Sequence, residues 1–196
     1  MARRNDKVDW REGKPIFILL AALFGCSLLT GLLVIALSPR QAGLARTAQC
    51  LDNLHSLSVA VKAYAEDNAN LLPPVSKPTP LADVRRGAVT YPPDAVKLWP
   101  AHDWRRGITP YVSNPAQFLC PLTQSAFSYD LNSAPEGVDT VLIIDKPNYA
   151  LLWDVGLREQ PGAGPHGGKY AVKTLSGTGF ATSGRGELFQ RLIFRP

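Results

Sequence analysis

The chain has 196 residues, of which 45% are hydrophobic and 19% are charged, and its formal net charge is +5. The 17 prolines and 16 glycines favour a domain with long connections over a helical bundle. The positive charges form no basic stripe and no aromatic–basic motif, so we expect no binding to nucleic acid.

An uncharged and mostly apolar run from Ile16 to Leu37 predicts a helix that spans a membrane. Such a helix would be about 33 Å long, which matches the hydrocarbon core of a bilayer. A buried core helix and a cleaved signal peptide are the alternatives. The run is too long for a signal peptide, and its one small-residue cleavage motif is followed by Pro39.

The residues before this run carry more basic than acidic groups, and such tails stay in the cytoplasm. We therefore predict a single-pass protein of the bacterial inner membrane with three parts. These are a cytoplasmic tail at 1–14, a transmembrane helix at 15–38 and an exported domain at 39–196, which lies in the periplasm or outside the cell.

A second helical pattern follows Pro39, where we expect the membrane helix to end or kink. Apolar residues recur at spacings of three and four, which predicts an amphipathic helix that stops at Asn68-Ala69-Asn70. Its apolar stripe has to pack against the rest of the chain. The stripe consists of Leu44, Ala48, Leu51, Leu54, Leu57, Val61 and Tyr64.

The remainder of the chain predicts a small antiparallel sheet. Residues 73–97 are rich in proline and are expected to be irregular, and residues 99–111 are expected to contain a short helix. The fold class is α+β, with one long helix lying across the sheet. The expected strands are Thr140–Ile144, Tyr149–Trp153, Lys169–Leu175 and Leu188–Phe194.

Three cysteines are present, and two of them fall in the exported part. Cys26 lies in the membrane run and behaves as a small apolar residue. In an oxidising compartment Cys50 and Cys120 can form a disulfide, which the chain-entropy model values at roughly 4 kcal/mol. Two separate buried thiols are the alternative, because sequence alone does not place two cysteines within bonding distance.

The sequence offers no catalytic, cofactor or metal site by spacing. No histidine lies at metal-ligand spacing from another ligand, and no nucleophile or phosphate-binding motif is present. His166 lies alone in a turn, where a structural role is the commoner one. Asp139, Asp145 and Asp154 lie near the ends of the expected strands and would bind calcium only if they converged. We therefore expect neither an enzyme nor a bound cofactor.

Several short motifs resemble those of one family when they are taken together. The amphipathic helix contains Cys50-Leu51-Asp52-Asn53-Leu54, which matches the Cys-Leu-x-Asn-Leu motif of the pseudopilins and other type IV pilin-like proteins. The resemblance extends over residues 15–183. The later motifs of that family follow in the same order, as Trp104, Pro110-Tyr111-Val112, Cys120-Pro121, Ser128-Tyr129 with Asn132, Val141 to Asp145, and His166-Gly167-Gly168.

This resemblance implies a pilin-like fold and a structural role in a type II secretion or pilus-type assembly. The partners would be the lipid bilayer and other pilin-like or secretion-system subunits, reached through helix–helix and domain–domain contacts. The residues that we expect to serve these contacts are Leu44, Leu51, Leu54, Leu57, Val61, Tyr64 and His166.

Two departures from the family pattern support an alternative. Gly13 is followed by Lys14-Pro15-Ile16-Phe17-Ile18, which lacks the acidic residue of the prepilin cleavage signature. Ser176 to Gly179 stand where relatives carry Asp-Gly-His. The alternative is a membrane-tethered periplasmic binding module that does not polymerise.

Overall fold

The computed structural model describes residues 14–194 except 76, 78, 88, 90 and 91. The chain forms two compact units, Met1–Ala42 and Gly43–Pro196. Residues 1–13 lie outside the described part, and with them nearly all of the expected cytoplasmic tail. The first helix, α1, is Lys14–Asp67, so of the two alternatives expected at Pro39, an end or a kink, the helix does not end there.

In the first unit, α1 contains one segment that is long and apolar enough to cross a membrane. Ile18–Ile35 has a mean hydropathy of 2.6, and none of its side chains is buried. A helix that is apolar on every side needs an apolar surrounding, because exposed apolar surface is unfavourable in water. The coarse prediction of a membrane-spanning N-terminal helix agrees with this segment.

In the second unit, the C-terminal part of α1 buries part of the predicted stripe, while Leu44 and Ala48 at its beginning are exposed. Leu54, Leu57 and Val61 are fully buried, and Leu51 and Tyr64 are half-buried. The helix ends at Asp67, and Ala69 and Asn70 then adopt positive φ values of 55° and 64°. Asparagine tolerates this left-handed conformation, which reverses the chain after the helix. The predicted stop of the amphipathic helix is confirmed.

Four antiparallel strands form an open sheet in chain order. They are β1 (Tyr129–Leu131), β2 (Ala150–Asp154), β3 (Tyr170–Thr174) and β4 (Gly179–Thr182). Every residue of β1, β2 and β3 is buried, so these strands are the centre of the domain. The predicted α+β class is confirmed, as are the strands at β2 and β3.

Two of the predicted strands are wrong. Thr140–Leu142 is a short 3-10 helix, because the Asp139 side chain accepts a hydrogen bond from the Val141 amide and starts a turn there. The C-terminal segment contains the helical turn Glu187–Gln190 instead of a strand, and only Ile193 bridges to Tyr149.

The proline-rich connection contains more helix than the sequence predicts. Within 73–97, α2 (Leu81–Arg86) and most of α3 (Pro92–Leu98) are helical. The expected short helix in 99–111 is present as α4 (Trp104–Ile108), followed by a 3-10 turn. A second 3-10 turn, Pro115–Phe118, leads to Cys120, and the last helix, α5, is Glu187–Gln190.

Candidate functional site

Four buried side chains from distant parts of the second unit meet at one end of the sheet. Cys50, Cys120, Asp154 and His166 each present one sulfur, nitrogen or oxygen atom, and these atoms lie within 4.8 Å of one another. All four residues are buried, with at most 8% of any of them exposed. We call this group the thiol–histidine cluster.

Each member of the thiol–histidine cluster comes from a different element. Cys50 lies on α1 and precedes the buried Leu54 by one helical turn, so it faces the sheet. Cys120 follows the 3-10 turn Pro115–Phe118, and Asp154 is the last residue of β2. His166 lies in the turn that leads into β3.

The turn from Gly164 to Gly168 holds His166 in place. The Gly168 amide donates to the Gly164 carbonyl at 3.0 Å, and the His166 amide donates to the Lys169 carbonyl at 3.1 Å. Gly168 has a φ of +83°, which favours glycine, and Gly164 packs directly against the Lys169 backbone. The glycines are therefore needed for the close approach that directs the imidazole into the domain.

Three short distances connect the cluster. The Cys50 Sγ lies 3.4 Å from the Asp154 Oδ1, and the Cys120 Sγ lies 3.7 Å from the His166 Nε2. The same His166 Nε2 lies 3.3 Å from the Asp154 Oδ2. A sulfur and a carboxylate oxygen therefore both approach one nitrogen of the imidazole.

A second layer of polar groups surrounds these four. The Thr47 Oγ1 lies 3.2 Å from the His166 Nδ1, and the Tyr129 hydroxyl lies 3.1 Å from the Cys50 Sγ. The Asn53 amide donates to the Tyr129 hydroxyl at 3.3 Å. The backbone amide of Ala171 donates to Asp154. The surroundings thus fix the direction of each side chain.

Burial and mutual contact change the acidity of the cluster. Burial raises the pKa of Asp154. For His166, burial lowers the pKa, but hydrogen bonds with Asp154 and Cys120 outweigh it and raise the pKa to about 9. The hydrogen bond from Cys50 lowers the pKa of Cys120 to about 4, and that same contact raises the pKa of Cys50. The acidities of the two thiols are therefore linked through their mutual contact.

The structure corrects three sequence-based expectations. Cys50 and Cys120 are brought together, but both are free thiols, so the expected disulfide is not present. Their sulfurs instead face Tyr129, Asp154 and His166. His166 is not a lone loop histidine, and the expectation of no metal-ligand set overlooked this cluster.

The other sequence candidates lie outside the cluster. His55 and His102 are exposed, as is Asp145, and Asp139 caps the 3-10 turn at Thr140. Within the described residues, the thiol–histidine cluster is the one group of three or more His, Cys, Asp or Glu side chains with ligand-like geometry. The expected contact residues Leu54, Leu57 and Val61 are buried inside the domain and do not form a surface.

Spacing rules could not find this site, because its members are separated by long stretches of chain. The usable signals were the cysteine one helical turn before the stripe residue Leu54, the cysteine before Pro121 and the histidine before two glycines. Each of these was visible separately, but only the fold shows that they converge.

Comparisons with protein-family models, with curated proteins and with solved structures found no match.

Proposed function

We propose that the chain is a membrane-anchored, pseudopilin-like structural subunit of a bacterial secretion or pilus-type assembly. The observation that carries this proposal is the segment Ile18–Ile35 with its mean hydropathy of 2.6 and no buried side chain. Lipid and the helices of neighbouring subunits are the partners that suit such a surface. The segment also contains Gly25, Ser27 and Gly31, small residues that allow close helix–helix contact.

The domain surface offers a second, smaller support for protein contact. Val141, Leu142 and Ile144 are 63%, 72% and 71% exposed on the turn that follows Asp139. Neighbouring exposed apolar side chains are typical of interaction sites. In this proposal they contribute to contacts between exported domains, while the buried stripe of α1 supports the fold.

A catalytic role for His166 is less well supported by the geometry. In a Cys–His–Asp triad the carboxylate binds one imidazole nitrogen and the sulfur faces the other. Here both Asp154 and Cys120 approach Nε2, and Nδ1 is next to Thr47. The proposal therefore contains no enzymatic step.

Two measurements on the native membrane protein test the proposal. Carbonate extraction should leave the chain in the membrane fraction; release by carbonate would rule out the anchor. Cross-linking of intact cells should then capture complexes of the chain with pilin-like subunits, and Leu142→Asp should reduce them without releasing the protein from the membrane. Val59→Asp, at an exposed position of α1, is the matched control.

The alternative is a membrane-tethered binding module that does not polymerise. It is favoured by Ile18, which stands where the prepilin cleavage signature has an acidic residue. N-terminal sequencing of the mature protein separates the two. A chain that begins at Lys14 has been processed by the pilin route. A chain that begins at Met1 or Ala2 and forms no cross-linked complexes would establish the membrane-tethered binding module instead.

A further inference from the structure

We propose that Cys50, Cys120, Asp154 and His166 together bind one zinc ion, as a closed structural site that links α1 to the sheet. This inference does not depend on the pilin-like function. It rests on the geometry of the thiol–histidine cluster, and its test needs neither assembly nor a membrane partner.

The size of the cluster is close to that of a tetrahedral zinc site. A tetrahedral zinc site has Zn–S distances near 2.3 Å and Zn–N or Zn–O distances near 2.1 Å. Its edges are then about 3.6 Å between sulfur and nitrogen or oxygen, and about 3.4 Å between nitrogen and oxygen, from the same bond lengths. Of the edges of the cluster, the one from the Cys120 sulfur to the His166 nitrogen is 3.7 Å and the one from that nitrogen to the Asp154 Oδ2 is 3.3 Å. The Cys50 sulfur lies 3.4 Å from the other oxygen of Asp154, Oδ1, and one ligand atom from each of the four side chains lies within 4.8 Å of the others.

The His166 imidazole is oriented as a metal ligand would be. Nε2 faces both Asp154 and Cys120, as a ligand atom does when all ligands point to one centre. Nδ1 lies 3.2 Å from the Thr47 hydroxyl. A zinc-bound histidine typically uses its second nitrogen for such an outer hydrogen bond, which fixes its tautomer and orientation.

The chemical types of the four ligands favour zinc. Thiolates and imidazole select zinc among the common divalent ions, whereas magnesium and calcium prefer oxygen alone. Four protein ligands with no open position are typical of structural rather than catalytic zinc. The burial of all four ligands fits this closed site.

The enclosed charges also favour a bound cation. A carboxylate and two sulfurs are enclosed in the domain, and among the described side chains that contact them the His166 imidazole is the one group that can carry a positive charge. Burying ionised groups is costly unless a counter-charge is present. A divalent cation would balance two thiolates, while a Cys50–Cys120 disulfide would use both sulfurs and leave Asp154 to His166 alone. Zinc and the disulfide therefore compete for the same two atoms.

The test uses the full-length protein, purified in detergent without chelator or reductant. We expect one zinc per chain by plasma mass spectrometry, and three alkylatable thiols after denaturation with a chelator. Exchange of zinc for cobalt should give the thiolate-to-metal absorption of a tetrahedral site. His166→Ala and Cys120→Ser should lower zinc affinity by more than tenfold.

Matched controls separate zinc binding from folding. Cys26→Ser removes the exposed cysteine of the first unit and should keep one zinc per chain. His166→Cys replaces one zinc ligand with another and should retain the metal. Thr47→Val removes the outer hydrogen bond to His166, together with the bond that the hydroxyl donates to the Gly43 carbonyl, and should weaken affinity by roughly 10- to 100-fold.

Three results would overturn the proposal. One is a wild-type protein without zinc whose Cys50 and Cys120 are joined in a disulfide, and another is a protein with neither zinc nor a disulfide. The third is zinc that His166→Ala retains with unchanged affinity. If a variant does not fold, the zinc content, thiol count and cobalt spectrum of the wild-type protein decide the matter. None of these results bears on whether the chain is anchored or assembled.

Discussion

Arg105 is the most deeply buried arginine or lysine in the part of the chain that the structure describes, and replacing it should destabilise the second unit strongly. Its side chain is only 2% exposed and donates to both carboxylate oxygens of Asp103, the nearer at 2.8 Å. It also donates to the Thr79 hydroxyl and to the Tyr129 carbonyl, and lies 4.0 Å from Asp130. One guanidinium therefore holds α4, the connection at Thr79 and β1 together.

The expected cost of Arg105→Met follows from these contacts. Methionine fills much of the same volume but leaves two carboxylates, at Asp103 and Asp130, without their cation. Breaking a buried ion pair by removing one partner costs about 3–5 kcal/mol. For a unit of this size each kcal/mol lowers the melting temperature by roughly 2–4 °C, so we expect a decrease of roughly 6–20 °C.

Thermal and urea unfolding of the full-length protein, followed by near-ultraviolet circular dichroism, measure this cost. Arg85→Met on α2 is the matched control, because Arg85 is exposed and surface changes of this kind stay within about 0.5 kcal/mol. The double variant Arg105→Met/Asp130→Asn should be less destabilised than the sum of its single variants, since it leaves one buried charge fewer. A loss below about 1 kcal/mol for Arg105→Met would refute the reasoning.

Three further predictions concern the core, the histidine turn and the anchor. Leu57→Ala should cost about 2–5 kcal/mol in urea unfolding, whereas Val59→Ala, exposed on the same helix, should stay near wild type. Gly164→Ala should lower the melting temperature, because a Cβ there would overlap the Lys169 backbone; an unchanged melting temperature would contradict the described turn. Leu28→Arg, within the membrane-spanning segment, should reduce the carbonate-resistant fraction, since a central arginine costs about 2.5–3.5 kcal/mol on insertion scales; full retention would argue against a lipid-facing helix.

The parts of the fold that depend on periodicity could be predicted from the sequence. The stripe at Leu54, Leu57 and Val61 identified the helix face that the domain buries, and the predicted strand Tyr149–Trp153 identified β2 to within one residue. These signals are reliable because a long repeat at one spacing fits one type of element. The same reasoning failed for Thr140–Leu142, where apolar β-branched residues suggest a strand but an aspartate starts a turn.

The short strands were missed for a different reason. β1 has three residues and β4 has four, and β4 begins at a glycine in a stretch rich in glycine and serine. Strands this short contain too few residues to show an alternating pattern. Their position is fixed by pairing with β2 and β3, which is information from the tertiary structure.

The candidate site shows the limit of spacing rules more clearly. Zinc motifs are recognised in a sequence when two ligands come from one turn or one helix. Here four elements each supply one ligand, and the shortest interval, from Asp154 to His166, crosses the connection between β2 and β3. The sequence could nominate Cys50 and Cys120 as partners, but not the carboxylate and imidazole that join them.

The arrangement of the four ligands leads to a last prediction about metal removal. Cys120 and His166 lie in turns outside the helices and strands, where most backbone hydrogen bonds are local, whereas Leu54 to Val61 belong to the long helix α1 and pack in the apolar core. Chelation should therefore raise amide hydrogen exchange mainly around residues 117–124 and 162–169, because local opening is easiest where packing and hydrogen bonding are sparse. The pairing of β2 with β3 should stay protected, and re-addition of zinc should restore the original exchange. Equal acceleration over the whole second unit would show that the ion is required for the fold itself, and no change at either segment would show that it does not link them.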